Sequence, residues 1–148
     1  MARAAIAKEI HCVAKDETGL LGRVVVALAQ NNIFILHLSA YTVGEAGYLQ
    51  LVVRDTESKK AKEAIQYFIP KIEERDVLVV EFENKAGTLA PVAKVLGNNG
   101  ISIRYVYGTS SDGFKIVGIF STSDNRKAAE LINADSGHLA ASPVTGTR

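Results

Sequence analysis

Tryptophan is absent from this 148-residue chain, cysteine and methionine occur once each, and there are three prolines. A lone cysteine, Cys12, excludes an internal disulfide and any thiolate cluster that would hold zinc. Excess charge is missing too, since 17 basic against 16 acidic residues leave a formal net charge of +1. A chain so balanced has no field with which to gather nucleic acid or an anionic membrane. No uninterrupted apolar run comes near the ~18 residues that cross a bilayer. The start of the chain holds an apolar run too short for the core of a secretory signal, and it leads straight into strand-like sequence. These absences lead us to expect a cytoplasmic protein with no nucleic-acid or membrane partner. Hydrophobic residues at 47% and charged residues at 22% are ordinary proportions for a packed globular protein.

What is present is a repeat. Asp16-Glu17-Thr18-Gly19-Leu20-Leu21-Gly22 lines up with Asn84-Lys85-Ala86-Gly87-Thr88-Leu89-Ala90, and the two glycines, 19 and 87, lie 68 positions apart. At the same offset Leu28 meets Leu96, Asn31 meets Asn99, Ile33 meets Ile101 and Ile35 meets Ile103. Beyond that, Gly47-Tyr48 aligns with Gly113-Phe114 if the second copy is two residues shorter in a turn around Ser110–Asp112.

Each copy carries the same order of local signals. Residues 8–14 and 77–82 are short apolar or β-branched runs that read as strands. A glycine loop follows, then helical stripes of Leu21, Val24/Val25 and Leu28, and of Leu89, Val92/Ala93 and Leu96. Asn31-Asn32 and Asn98-Asn99-Gly100 supply residues that tolerate the left-handed backbone of a helix stop. Strands are expected at 33–41 and 101–107, with hairpin partners at 47–54 and 113–121. Second helices are expected at 58–68 and 125–133. A weaker last strand falls at 71–74, where it can merge with the strand that opens copy two, and at 138–141. The order β-α-β-β-α-β, twice, predicts an α+β protein of two ferredoxin-like units, each an antiparallel sheet with two helices on one face. The expected domains are 1–74 and 75–141, with residues 142–148 as a flexible tail.

The two glycine loops, with the helix stop and the Ile-x-Ile strand that follow them, resemble the Asp/Asn-x-x-Gly-x-Leu signature of ACT domains. The resemblance covers residues 8–74 and 77–141 and implies tandem ACT modules. It implies a non-enzymatic regulatory protein that binds a small metabolite, an amino acid above all, at interfaces between modules. The sheet face and edges left without helices predict at least a homodimer, and a partner enzyme is possible; an interaction module without any small ligand is the alternative. The ligand contacts carried over are Asp16, Gly19, Leu20, Leu21 and Ile33 in copy one. In copy two they are Asn84, Gly87, Thr88, Leu89, Ile101 and Ser102. The chemistry is that of a helix start, where unpaired N–H groups and the dipole favour a carboxylate, with Asp16 and Asn84 as acceptors for an ammonium. Copy two is the more polar, because Phe34 of copy one stands where copy two has Ser102.

Other candidates read as structure. Cys12 falls in a core strand as a small apolar residue. His37 alternates with Ile35 and Ser39, and His11 and His138 have no acidic or nucleophilic neighbours in sequence. Tyr105 and Tyr107 flank no basic platform of the kind that stacks RNA bases. No phosphate loop, metal-ligand spacing or nucleophile–base pattern appears, so neither catalysis nor a cofactor is expected.

Overall fold

A computed structural model describes residues 2–110 and 112–139 of the chain. The elements, in order, are β1 (Arg3–Lys15), α1 (Leu20–Gln30), β2 (His37–Val43), β3 (Ala46–Val52), α2 (Ser58–Ile65), β4 (Lys71–Glu83), α3 (Leu89–Asn98), β5 (Ile103–Thr109), β6 (Lys115–Thr122) and α4 (Asn125–Leu139). A single 3-10 turn, Asp55–Glu57, leads into α2. No helix among the described residues is long and apolar enough to cross a membrane.

The chain divides into two compact units, Ala7–Asp76 and Met1–Ile6 with Val77–Arg148. In the first, the strand order is β2-β3-β1-β4. Alternation along β1 puts Ile10, Cys12 and Ala14 on one face, and the register sets Ile10 against Leu51 and Cys12 against Leu49. Those side chains form one core with Val24 and Leu28 of α1 and Ala61 and Ile65 of α2. In the second unit the order is β5-β6-β4-β1, the last strand being the N-terminal part of β1. Leu78, Val80 and Phe82 of β4 and Phe120 of β6 pack with Val92, Leu96, Ala128 and Ile132 of the helices. Each unit is therefore a four-stranded sheet with two helices against one face, the ferredoxin-like arrangement that the repeat implied.

One alternative that the sequence left open is realised, and two features differ from the expectation. The weak strand at 71–74 is continuous with the one at 77–82, giving the 13-residue β4. The strand expected at 138–141 is not found: α4 runs through Leu139, and the rest of that segment and the tail at 142–148 lie outside the described residues. The fourth strand of the second unit comes instead from the opposite end of the chain, so the boundaries 1–74 and 75–141 give way to the interleaved pair above.

Two observations fix that assignment. Ala2 and Ala4 lie within the second unit's core. The carboxamide of Asn133, on α4, takes both polar groups of Ala4: its Oδ1 accepts the Ala4 N–H at 2.8 Å and its Nδ2 donates to the Ala4 carbonyl at 2.9 Å. An edge strand exposes such groups, and pairing them blunts the edge.

The hairpins also correct the alignment. Ala14 pairs with Gly47 and Phe82 with Ile116, so beyond the hairpin the copies are offset by 69 and the second is one residue longer, not two shorter. Gly118 thereby replaces Leu49, and a Cβ there would come within 2.8 Å of the Phe120 ring. Phe120 fills the space that Leu49 occupies in copy one.

Helix ends repeat closely. Asn32 and Gly100 have φ of 55° and 70°, and the Ile33 and Ile101 amides each return to the carbonyl of Leu28 or Leu96 at 3.0 Å. The Asn31 and Asn99 side chains donate to Ala27 and Val95 at 2.9 and 2.8 Å. These bonds satisfy helix carbonyls that would otherwise be orphaned.

Asn133→Ala removes two partly buried hydrogen bonds and is expected to cost about 1–2 kcal/mol. Urea unfolding monitored by circular dichroism checks this. An unchanged midpoint would mean that residues 2–6 are not a working part of the second unit.

Candidate functional site

Two glycine loops connect a strand to the first helix of each unit, and their backbones match. Gly19 and Gly87 both have φ of 87°, a conformation that side chains resist by roughly 1–2 kcal/mol. Each loop is tied to the neighbouring hairpin: the Asp16 amide donates to the Glu45 carbonyl and the Asn84 amide to the Phe114 carbonyl, both at 2.8 Å. The same backbone bond thus ties each loop to its hairpin, although the loop residues are offset by 68 and the hairpin acceptors by 69.

In copy one, Glu17 accepts from Arg23 at 2.9 Å, and the Arg23 guanidinium stands 5.7 Å from the centre of the Phe68 ring. A cleft of about 520 Å³ opens beside this loop, lined by Gly19, Gly22, Arg23, Val26, Ala27, Gln30 and Phe68. Arg23 and Phe68 were not among the residues expected at the site. They come from a helix and from the turn after α2, which no local motif links.

In copy two, the Asn84 Nδ2 donates to the Gly113 carbonyl at 3.1 Å, which leaves Oδ1 as the acceptor outside that bond. The Thr88 hydroxyl closes the loop on the carbonyls of Glu83 and Lys85 at 2.6 and 2.9 Å. Asp112 closes the adjacent hairpin by accepting from the amides of Phe114 and Lys115, which holds its carboxyl below the usual carboxylate range.

The side chains divide by exposure. Asp16, Gly19, Leu21, Asn84, Gly87, Leu89 and Ser102 are exposed, and Thr88 is half-buried. Leu20, Ile33 and Ile101 are core residues in their units, and their amides donate to the carbonyls of Glu17, Leu28 and Leu96. The buried stripe of α1 runs through Leu20, Val24 and Leu28, which leaves Leu21 at 41% exposure. Leu89 is likewise 45% exposed at the start of α3. The first turn of each helix thus carries a large, partly exposed apolar side chain, Leu21 or Leu89, beside a left-handed glycine.

The remaining titratable groups are structural. Burial pushes the Cys12 thiol up to about 12, far from a working nucleophile. His11 lies on the face of β1 opposite that core, in cross-strand register with Gln50 and Ser39, and its Nδ1 has no hydrogen-bond partner. Burial lowers its pKa, the cations Arg75 and Lys71 lower it further, and Glu73 opposes them. Burial lowers that of His37 as well. Among the described residues no group of three or more His, Cys, Asp or Glu side chains is arranged to hold a metal ion.

No protein-family model matches the chain, and no curated protein matches its sequence. Solved structures do. Protein BT0572 from Bacteroides thetaiotaomicron is similar over 90% of each chain, with 25% identity and a TM-score of 0.80. The ligand-free regulatory subunit of aspartate kinase from Thermus thermophilus has 16% identity and a TM-score of 0.68, over 88% of this chain and 95% of that one. The regulatory subunit of aspartate kinase from Thermus flavus has 15% identity and a TM-score of 0.67, over 90% and 95%. The chain has the tandem ACT fold.

The histidines generate a pH prediction. A pKa lowered in the folded state means that the unfolded chain binds more protons, so the stability is present above about pH 6.5 and is lost as pH falls through the folded values. The unfolding midpoint should therefore drop between about pH 7.5 and 5.5, before the carboxylates titrate. The double variant His11→Gln, His37→Gln should flatten the dependence, and an unchanged slope in that variant would refute the assignment.

Proposed function

We propose that the chain is a non-enzymatic regulatory module that binds a small metabolite, most fittingly an amino acid, at its glycine loops. The observation that carries this reading is the duplication of one backbone device. A left-handed glycine at φ 87° precedes a helix start in both units, and a large apolar side chain of the first turn, Leu21 or Leu89, stands partly in solvent. A helix start suits a carboxylate. Asp16 or Asn84 supplies an acceptor for an ammonium, and Leu21 or Leu89 offers apolar contact. The role of the similar Thermus proteins as regulatory subunits of aspartate kinase supports regulation of a partner enzyme. No residue set in either loop suggests catalysis.

Copy two, with Asn84, Thr88 and Ser102, is the better recognition site; copy one contributes apolar wall. Assembly belongs to the same proposal. Leu21, Val25, Leu36 and Leu38 of the first unit are exposed, and an apolar group of that size favours burial against a second copy. An interaction module without a small ligand is the second reading, favoured by the same exposed residues.

Thermal unfolding in the presence of each of the twenty amino acids decides between these readings. A ligand at 100 times its Kd stabilises by about 2.7 kcal/mol, a rise of roughly 5–10 °C for a chain of this size. No shift across the panel would favour the interaction module. For the responding amino acid, Gly87→Asp should abolish binding while Gly87→Ala, which bears the same backbone penalty without the charge, should retain most of it. Equal loss in both would assign Gly87 to backbone shape alone. Light scattering should give a dimer or larger species at micromolar concentration, and a monomer would contradict the assembly.

A further inference from the structure

The first unit has a second concave site, away from the helix starts. A shallow cleft of about 470 Å³ is lined by Val13, Ala14, Lys15, Val43, Glu45, Ala46, Pro70 and Lys71. Its floor follows from register: Val43, Ala46 and Lys15 form one cross-strand row, and the next row on that face is Tyr41, Tyr48 and Val13. This is the face opposite α1 and α2, because the alternate residues Ala14, Cys12 and Leu49 carry the core. The two tyrosine rings stack at 5.1 Å and extend the apolar floor.

Charge gathers at one end of that floor, where Glu45 precedes Ala46, the cross-strand partner of Lys15, and the Glu45 carbonyl accepts the Asp16 amide at 2.8 Å. Glu45 sits in the β2–β3 turn. Lys15 ends β1, and Lys71 opens the neighbouring strand β4. Lys71 reaches Glu73 at only 3.6 Å, and neither Lys15 nor Glu45 is in an ion pair among the described residues. An apolar floor beside a neighbouring carboxylate and ammonium complements a small zwitterion whose two charges share one carbon and whose side chain is apolar. The carboxylate of such a molecule would meet Lys15 and Lys71, its ammonium Glu45, and its side chain Val13, Val43 and Ala46. The volume lies within the range of about 300–1,000 Å³ typical of small-molecule sites.

We propose that this cleft is a second, low-affinity site for apolar α-amino acids. It stands on its own residues, independent of the glycine loops, and its openness to solvent places the affinity in the millimolar range, because exposed ion pairs contribute little.

The test is a titration of the ¹⁵N-labelled full chain, followed by amide chemical shifts, with three probes. L-Leucine carries both charges, 4-methylpentanoate lacks the ammonium, and isopentylamine lacks the carboxylate. Leucine should move the amides of residues 13–15, 43–46 and 71, and each truncated probe should bind them several-fold more weakly. Lys15→Gln should weaken leucine and leave isopentylamine unchanged; Glu45→Gln should weaken leucine and leave 4-methylpentanoate unchanged. Equal affinities for the three probes, or no movement of these amides at millimolar leucine, would overturn the proposal. Shifts confined to residues 16–22 or 84–90 would also overturn it while leaving the loop reading intact.

Discussion

Two helices laid on one face of a sheet need four strands to cover them, and residues 77–139 supply only three. The hydrogen bonds between the Asn133 carboxamide and the Ala4 backbone show how the shortage is met. Residues from the beginning of the chain become the last strand of the second unit, and everything between them and β4 folds as the first. The strands β1 and β4, 13 residues each, therefore pass through both units. Neither unit can be excised without opening an edge in the other.

Much of the fold was legible because the repeat and the turn chemistry are local. The glycine loops, the helix stops at Asn31-Asn32 and Asn99-Gly100, and the period of the first helices each need only a few adjacent residues. The misses have the opposite character. Ala2 and Ala4 are too small to mark a core strand, so nothing in residues 2–6 announces that they pack on α4. The hairpin offset is obscured because Gly47-Tyr48 and Gly113-Phe114 look alike, while Gly118 and Phe120, two apart on β6, redistribute the volume that Leu49 and Leu51 carry in copy one. The buried stripe of α1 falls on Leu20 instead of Leu21, a shift of one residue within a Leu-Leu pair that periodicity cannot resolve.

The candidate site was legible as backbone and less so as side chains. Both glycines were identified by spacing, and their left-handed geometry gives the physical reason. Leu20, Ile33 and Ile101 belong to the cores, where they position the loop and the strand that follows. Arg23 and Phe68, which shape the cleft beside Gly19, meet through tertiary packing between α1 and the end of α2. Functional residues are commonly carried on short loops that a rigid scaffold positions.

The central claim is that the glycine loops hold a small effector. Amide hydrogen exchange of the full chain, with and without a millimolar mixture of amino acids, tests it most directly, because it reports where order is gained without assuming which ligand is right. The account predicts slower exchange in peptides covering residues 84–90, with a smaller effect at 16–22. Unchanged exchange in both loops would contradict it.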